Sequence, residues 1–134
     1  PRQARAAARE KPAFRIGVVD DMRERRDMLE SLLKMQGCQV VTAADGAEGL
    51  KAIAESRPDV ALVDIGLPEL DGYEVAKRLR MDPANKDIYL VALTGYGQQK
   101  DRDAALQAGF DDHLVKPLRP QELNRVLSRQ NGAS

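Results

Sequence analysis

Short apolar runs alternate with amphipathic stretches along most of this chain. Phe14–Val19 is an apolar run of strand length, and its brevity predicts a buried strand. In Met22–Gln36, Leu29, Leu32 and Leu33 recur at helical spacing with Met28 and Met35 beside them. That stripe predicts a helix closed by Gly37. Gln39–Ala43 predicts a second strand. Asp45 is placed to cap a short helix whose Ala47, Leu50 and Ala54 share a face, and Pro58 ends it. Val60–Val63 predicts a third strand, and Tyr73–Met81 a helix with Ala76 and Leu79 inward. Ile88–Leu93 predicts a fourth strand. Gln98–Ala108 predicts a weakly patterned helix, with little on its inner face beyond Ala104, Ala105, Leu106 and Ala108. His113–Val115 predicts a last strand, and Pro120–Arg129 a last helix with Leu123, Val126 and Leu127 inward.

The predicted order is therefore strand then helix, five times over. Strands this apolar are buried on both faces, which implies a parallel sheet between two helix layers, an α/β fold. Right-handed crossovers bring the carboxyl ends of all the strands to one edge, where open sheets of this kind bind ligands. Residues 1–12, with Arg2, Arg5, Arg9 and Lys11 against Glu10, show no such pattern and are expected to be a linker or disordered segment. Residues 13–129 make the expected domain, and 130–134 an expected frayed tail.

Composition narrows the function classes. In 134 residues, 43% are hydrophobic and 31% charged, enough for one soluble domain with a core of its own. Lys+Arg and Asp+Glu each number 21, so the lopsided basic charge expected of a nucleic-acid or membrane-surface binder is missing. Neither a direct nucleic-acid partner nor membrane contact is expected of this domain. Cys38 is the sole cysteine, which excludes an internal disulfide framework and a multi-cysteine zinc site. It reads as a small buried hydrophobe. A reducing cytoplasm is the expected location, although a parent protein can be membrane-anchored.

The chemistry sits at the strand ends. The first strand ends in Asp20-Asp21 and the third in Asp64, followed by Ile65-Gly66-Leu67-Pro68. The fourth ends in Thr94-Gly95 and the fifth in Lys116-Pro117. A parallel sheet gathers these groups into one shallow pocket. Two carboxylates ~4 Å apart repel by about 4 kcal/mol at an effective dielectric near 20, so three together call for a cation or a proton. With hard oxygen donors and no imidazole or thiolate beside them, the expected ion is Mg²⁺. Mg²⁺ beside a carboxylate suits phosphate chemistry, in which an Asp can be the nucleophile. Lys116 adds a mobile positive charge, and the Thr94 hydroxyl a hydrogen bond to a phosphoryl oxygen.

These motifs, with Asp71-Gly72-Tyr73-Glu74 and Ala108-Gly109-Phe110-Asp111-Asp112-His113-Leu114-Val115-Lys116-Pro117-Leu118, resemble the receiver (response-regulator) domain of bacterial two-component signalling. The likeness runs from Phe14 to Leu127. It implies the flavodoxin-like fold, with five parallel strands in the order 2-1-3-4-5 and five helices. It implies that Asp64 is the phosphoacceptor, served by the phosphohistidine of a histidine kinase or histidine phosphotransfer domain. Asp21 and Asp64 are the implied direct Mg²⁺ ligands, Asp20 a ligand through water, and the Gly66 carbonyl the third protein ligand. Thr94 is the implied switch hydroxyl, and the Gly95 amide and Lys116 bind the phosphoryl group. A cis Lys116–Pro117 peptide is also implied. The family promotes its own phosphorylation and dephosphorylation. Phrases around Thr94 and Lys116 look most like receivers fused to hybrid sensor histidine kinases, so an excised domain is expected over a stand-alone one.

Two positions depart from the commonest receiver pattern. His113 stands where many receivers carry Tyr or Phe; it is either a smaller, titratable switch residue or a half-exposed strand-end histidine. Tyr96 stands where side-chain identity tunes phosphoryl lifetime, and Gly66 leaves room for a water beside Asp64. Arg23, Glu24, Arg25, Arg26 and Asp27 read first as a solvated mixed-charge face, and second as a docking surface for the phosphodonor with Met22 and Arg26 foremost. Other functions fit less well. An aspartyl-phosphate phosphatase of the haloacid-dehalogenase type wants an Asp two residues after Asp20, where Met22 stands. A flavin carrier wants a neutral, hydroxyl-rich phosphate loop in place of Asp20, Asp21 and Glu24. A degenerate receiver used only for docking has no need of the full set Asp20, Asp21, Asp64, Thr94 and Lys116.

Overall fold

A computed structural model describes residues 14–95 and 99–130. The expected linker at 1–12, the last four residues of the tail and Tyr96 lie outside these residues. Strands β1 (Arg15–Val19), β2 (Gln39–Ala43), β3 (Val60–Asp64), β4 (Tyr89–Thr94) and β5 (Asp112–Val115) form one parallel sheet in the order β2-β1-β3-β4-β5. They alternate with helices α1 (Arg23–Met35), α2 (Gly46–Ser56), α3 (Gly72–Arg80), α4 (Gln99–Ala108) and α5 (Pro120–Gln130). The expected flavodoxin-like α/β architecture is thus the observed one. Boundaries differ from the sequence-based expectation by a residue at most of the ends. A 3₁₀ turn at Pro83–Asn85, capped by the Asp82 side chain, was not anticipated.

The order of the strands decides which face each helix covers. The chain steps from β1 outward to β2, then reverses to β3, β4 and β5. Crossovers of one hand put helices on opposite faces when the direction reverses. Accordingly α1 and α5 share one apolar core, built on Leu29, Leu33, Leu123, Val126 and Leu127. Ile53 of α2, Val75, Ala76 and Leu79 of α3, and Ala105 and Ala108 of α4 share the other. Central β3 is buried along its whole length, while edge strand β2 is partly exposed. The register pairs Val18 with Leu62, Val63 with Ala92 and Thr94 with Val115, so the carboxyl ends of β1, β3 and β4 finish at one edge.

Two helix faces differ from those the apolar spacing predicts. In α2, Gly46, Gly49 and Ile53 face inward, Leu50 is half-buried, and Ala47 and Ala54 are exposed. A Cβ on Gly49 would lie 2.8 Å from both Val19 methyl groups. The helix therefore approaches the sheet on its glycines, which an apolar pattern does not count. In α1, Leu29 and Leu33 are buried and Leu32 half-buried, but Met28 and Met35 are exposed. On α4, Leu106 is 60% exposed and only Ala105 and Ala108 are buried. Caps match expectation: the Asp45 carboxylate accepts from the Glu48 N–H at 2.8 Å, and Gly37 takes φ +88° after α1.

Candidate functional site

β1 delivers Asp20 and Asp21 just past its last residue. The Asp20 N–H still bonds the Ala43 carbonyl at 3.1 Å, which extends the β1–β2 ladder and holds Asp20 fully buried while Asp21 is exposed. β3 delivers Asp64, 2% exposed, across the switch in strand order. One carboxylate oxygen from each of Asp20, Asp21 and Asp64 lies within 4.8 Å of the others. Asp64 Oδ1 accepts the Gly66 N–H at 2.8 Å and the Lys116 ammonium at 3.1 Å. Lys116 is aimed there by its own backbone, whose N–H bonds the Thr94 carbonyl at 2.7 Å. Thr94 itself is buried, and Gly95 is exposed at the end of β4. The Lys116–Pro117 peptide is cis.

One expectation about charge needs correction. The stretch Arg23–Asp27 is not a uniformly solvated face. Arg23 and Asp27 pair in solvent, but Arg25 folds back over the pocket. Its Nε contacts Asp20 Oδ2, and its Nη2 donates to Asp20 Oδ1 and Asp64 Oδ2, each at 3.0 Å. Arg26 donates to the Asp20 main-chain carbonyl at 2.9 Å. The acidic cluster is therefore not bare: Arg25 and Lys116 answer two of its three charges. The hydrogen bond that Arg25 donates to Asp20, aided by the charges of Asp20 and Asp64, outweighs burial and raises the Arg25 pKa above its ordinary value. The sequence carried one signal of this role. Arginine in the first turn of a helix opposes the helix dipole, so it needs a local anionic partner.

His113 is not brought to the pocket. It pairs in register with Ala92, two residues short of the Thr94 end, and is half-buried. It lines a separate cavity of about 160 Å³ with Gln99, Arg102, Ala105, Leu106, Asp111 and Asp112. Cys38 precedes β2 and is half-buried rather than buried; desolvation raises its thiol pKa.

A divalent ion suits this donor set. One carboxylate oxygen from each of Asp20, Asp21 and Asp64 lies within 4.8 Å of the others, so small side-chain movements would bring them around a single ion. All are hard oxygens, and Asp20 is wholly out of solvent.

Comparison with known proteins agrees with the geometry. The chain is 41% identical over 124 residues to the probable transcriptional regulator ycf27 of Guillardia theta, covering 90% of this chain and 48% of that protein. This chain thus spans about half the length of that relative. Among solved structures, it resembles the receiver domain of the sensor histidine kinase PA1611 from Pseudomonas aeruginosa, with a magnesium ion coordinated in its active site cleft. The TM-score is 0.82 and the identity 34%, over 90% of this chain and 99% of that one. A third match is a chain of the Saccharomyces cerevisiae co-crystal of the histidine phosphotransfer protein Ypd1 with the receiver domain of its response regulator Ssk1. There the TM-score is 0.83 and the identity 26%, over 89% of each chain. The profile of the response regulator receiver domain matches residues 16–128. With strand order, acidic edge and profile in agreement over nearly its whole length, this chain belongs to the response regulator receiver domain family.

Proposed function

We propose that this domain takes a phosphoryl group onto Asp64 from the phosphohistidine of a histidine kinase or histidine phosphotransfer domain. A carboxylate oxygen of Asp64 attacks phosphorus as the phosphorus–nitrogen bond breaks. The leaving imidazole keeps the electron pair and takes up a proton. The product is an acyl phosphate on Asp64. Lys116, already 3.1 Å from Asp64, supplies positive charge to the incoming phosphoryl oxygens. The Thr94 hydroxyl and Gly95 N–H, at the end of the neighbouring strand, complete the phosphate contacts. Asp20, Asp21, Asp64 and the Gly66 carbonyl would hold Mg²⁺, which when bound neutralises phosphoryl oxygens as charge develops.

The observation that carries this reading is the placement of Asp64. It is buried at the sheet edge, flanked by two further carboxylates, and held by a lysine ammonium through the same oxygen that takes the Gly66 N–H. Downstream, Thr94 moves toward the phosphoryl group and His113 follows, using the cavity that it lines beside α4. Exposed Met22, at the rim of the pocket, suits docking of the phosphodonor. The Ypd1–Ssk1 likeness supports a phosphotransfer partner, and the PA1611 likeness supports a hybrid kinase as the parent. No helix among the described residues is long and apolar enough to cross a membrane. With Mg²⁺ and acetyl phosphate, intact mass spectrometry is expected to show one added phosphoryl group, abolished by Asp64→Ala. Equal labelling of the variant would remove Asp64 from the chemistry.

A further inference from the structure

Arg25 turns inward from the first turn of α1, leaving its side chain only 18% exposed. Its guanidinium engages both Asp20 oxygens and Asp64 Oδ2. The remaining Asp64 oxygen is taken by Lys116 and the Gly66 N–H. Asp64 is an expected direct ligand of a divalent cation, and Asp20 an expected ligand through water, so the guanidinium stands where the cation and its water would sit. A dication and a guanidinium cannot share these carboxylates without strong repulsion, because the pocket is poorly screened.

Resting on the metal reading above, we propose that Arg25 is a built-in counter-ion of the acidic edge. It neutralises Asp20 and Asp64 in the metal-free state and has to be displaced before Mg²⁺ binds. Arg25 therefore sets the metal affinity of the site. Through that affinity it sets the Mg²⁺ concentration at which Asp64 becomes reactive. It acts on the chemistry through the carboxylates and is a positioning residue. Arg26 supplies an internal control. It carries the same charge on the same turn of α1, but its guanidinium rests on the Asp20 main-chain carbonyl and not on a carboxylate.

Isothermal titration of Mg²⁺ into wild type, Arg25→Gln and Arg26→Gln, at one pH and physiological salt, tests this. Arg25→Gln is expected to bind Mg²⁺ roughly tenfold more tightly, the scale of one lost competing ion pair. Arg26→Gln is expected to stay within about twofold of wild type, as the site's shared field alone would give. In EDTA, Arg25→Gln is expected to melt below wild type and to gain more from added Mg²⁺. If Arg25→Gln does not fold without metal, Arg25→Lys is measured instead. Its single ammonium cannot span both carboxylates, and an intermediate affinity is expected. Measurable binding that is unchanged or weaker in the Arg25 variants overturns this proposal and leaves the metal reading standing. Equal tightening by Arg26→Gln overturns it too, since a diffuse field would then suffice. No Mg²⁺ binding by wild type or any variant overturns both.

Discussion

Helices α1 and α4 cover opposite faces of the same sheet, and they are held in different ways. α1 buries Leu29 and Leu33 completely and is tied to the acidic edge by Arg25 and Arg26. α4 buries only Ala105 and Ala108 and leaves Leu106 in solvent. The contrast extends into the two cores. Among the described residues, the α1–α5 core buries Leu, Ile and Val and no alanine. The other contains Ala43, Ala61, Ala76, Ala92, Ala105 and Ala108. A buried Leu side chain contributes about 1.5–3 kcal/mol and a methyl group about 0.8, so α4 is held by a fraction of what holds α1. The element that frames the chemistry is thus packed firmly, and the element beside His113 is packed thinly. Thin packing is what a segment needs if a small event at Thr94 is to displace it.

One anchor limits that freedom. Arg80 of α3 donates to the Gly109 carbonyl at 2.9 Å, the Asn85 carbonyl at 2.9 Å and Asp111 at 2.7 Å. These bonds pin the turn that follows α4, so displacement of α4 is expected to pivot about its carboxyl-terminal end.

The largest effect should come from opening a cavity under α1. Leu33→Ala is expected to cost about 3 kcal/mol in urea unfolding, against about 1 kcal/mol for Ala105→Gly in α4. Equal losses would erase the difference between the helices. Native-state amide exchange reads the same contrast without mutation. Backbone amides of α4 are expected to exchange about a hundredfold faster than those around Leu29 and Leu33, and Mg²⁺ with beryllofluoride should slow or redistribute exchange in α4 and β5. Exchange that is uniform across both helices, or blind to beryllofluoride at α4, would contradict the proposed division of roles.

The smallest effect concerns β5, the edge strand beside α4. Burial alone would raise the Asp112 pKa. The His113 N–H, the Arg125 guanidinium and the Tyr89 hydroxyl outweigh it and hold the carboxyl below its ordinary value. A folded-state pKa below the unfolded one adds stability above the unfolded carboxyl's pKa, and that contribution is lost as pH falls through the folded value. Arg125 is 47% exposed, so the contribution is under about 1 kcal/mol. Asp112→Asn is expected to lose it at pH 7 and to match wild type at the acid end of the series. A constant difference across pH would assign Asp112 a packing role instead.

Much of this molecule was legible from residue order. The alternation of apolar runs and helical stripes specified five βα units, and handedness carried Asp20, Asp21, Asp64, Thr94 and Lys116 to one edge. Those residues are short or sit directly at strand ends, so their backbone positions nearly determine where their chemistry lies. Three features depended on tertiary structure. The inward face of α2 was set by how closely Gly49 approaches Val19, a distance that no spacing of apolar letters records. Met28 and Met35 continue the stripe of α1 but remain exposed beside the buried Leu29 and Leu33, so which of the apolar residues meet the core was decided by how the helix docks. Arg25 has a long side chain with many rotamers, and its direction was settled by Asp20 together with Asp64, the latter 39 residues away in the chain. A short side chain inherits its place from the backbone, whereas a long charged one goes where the folded chain has left the opposite charge.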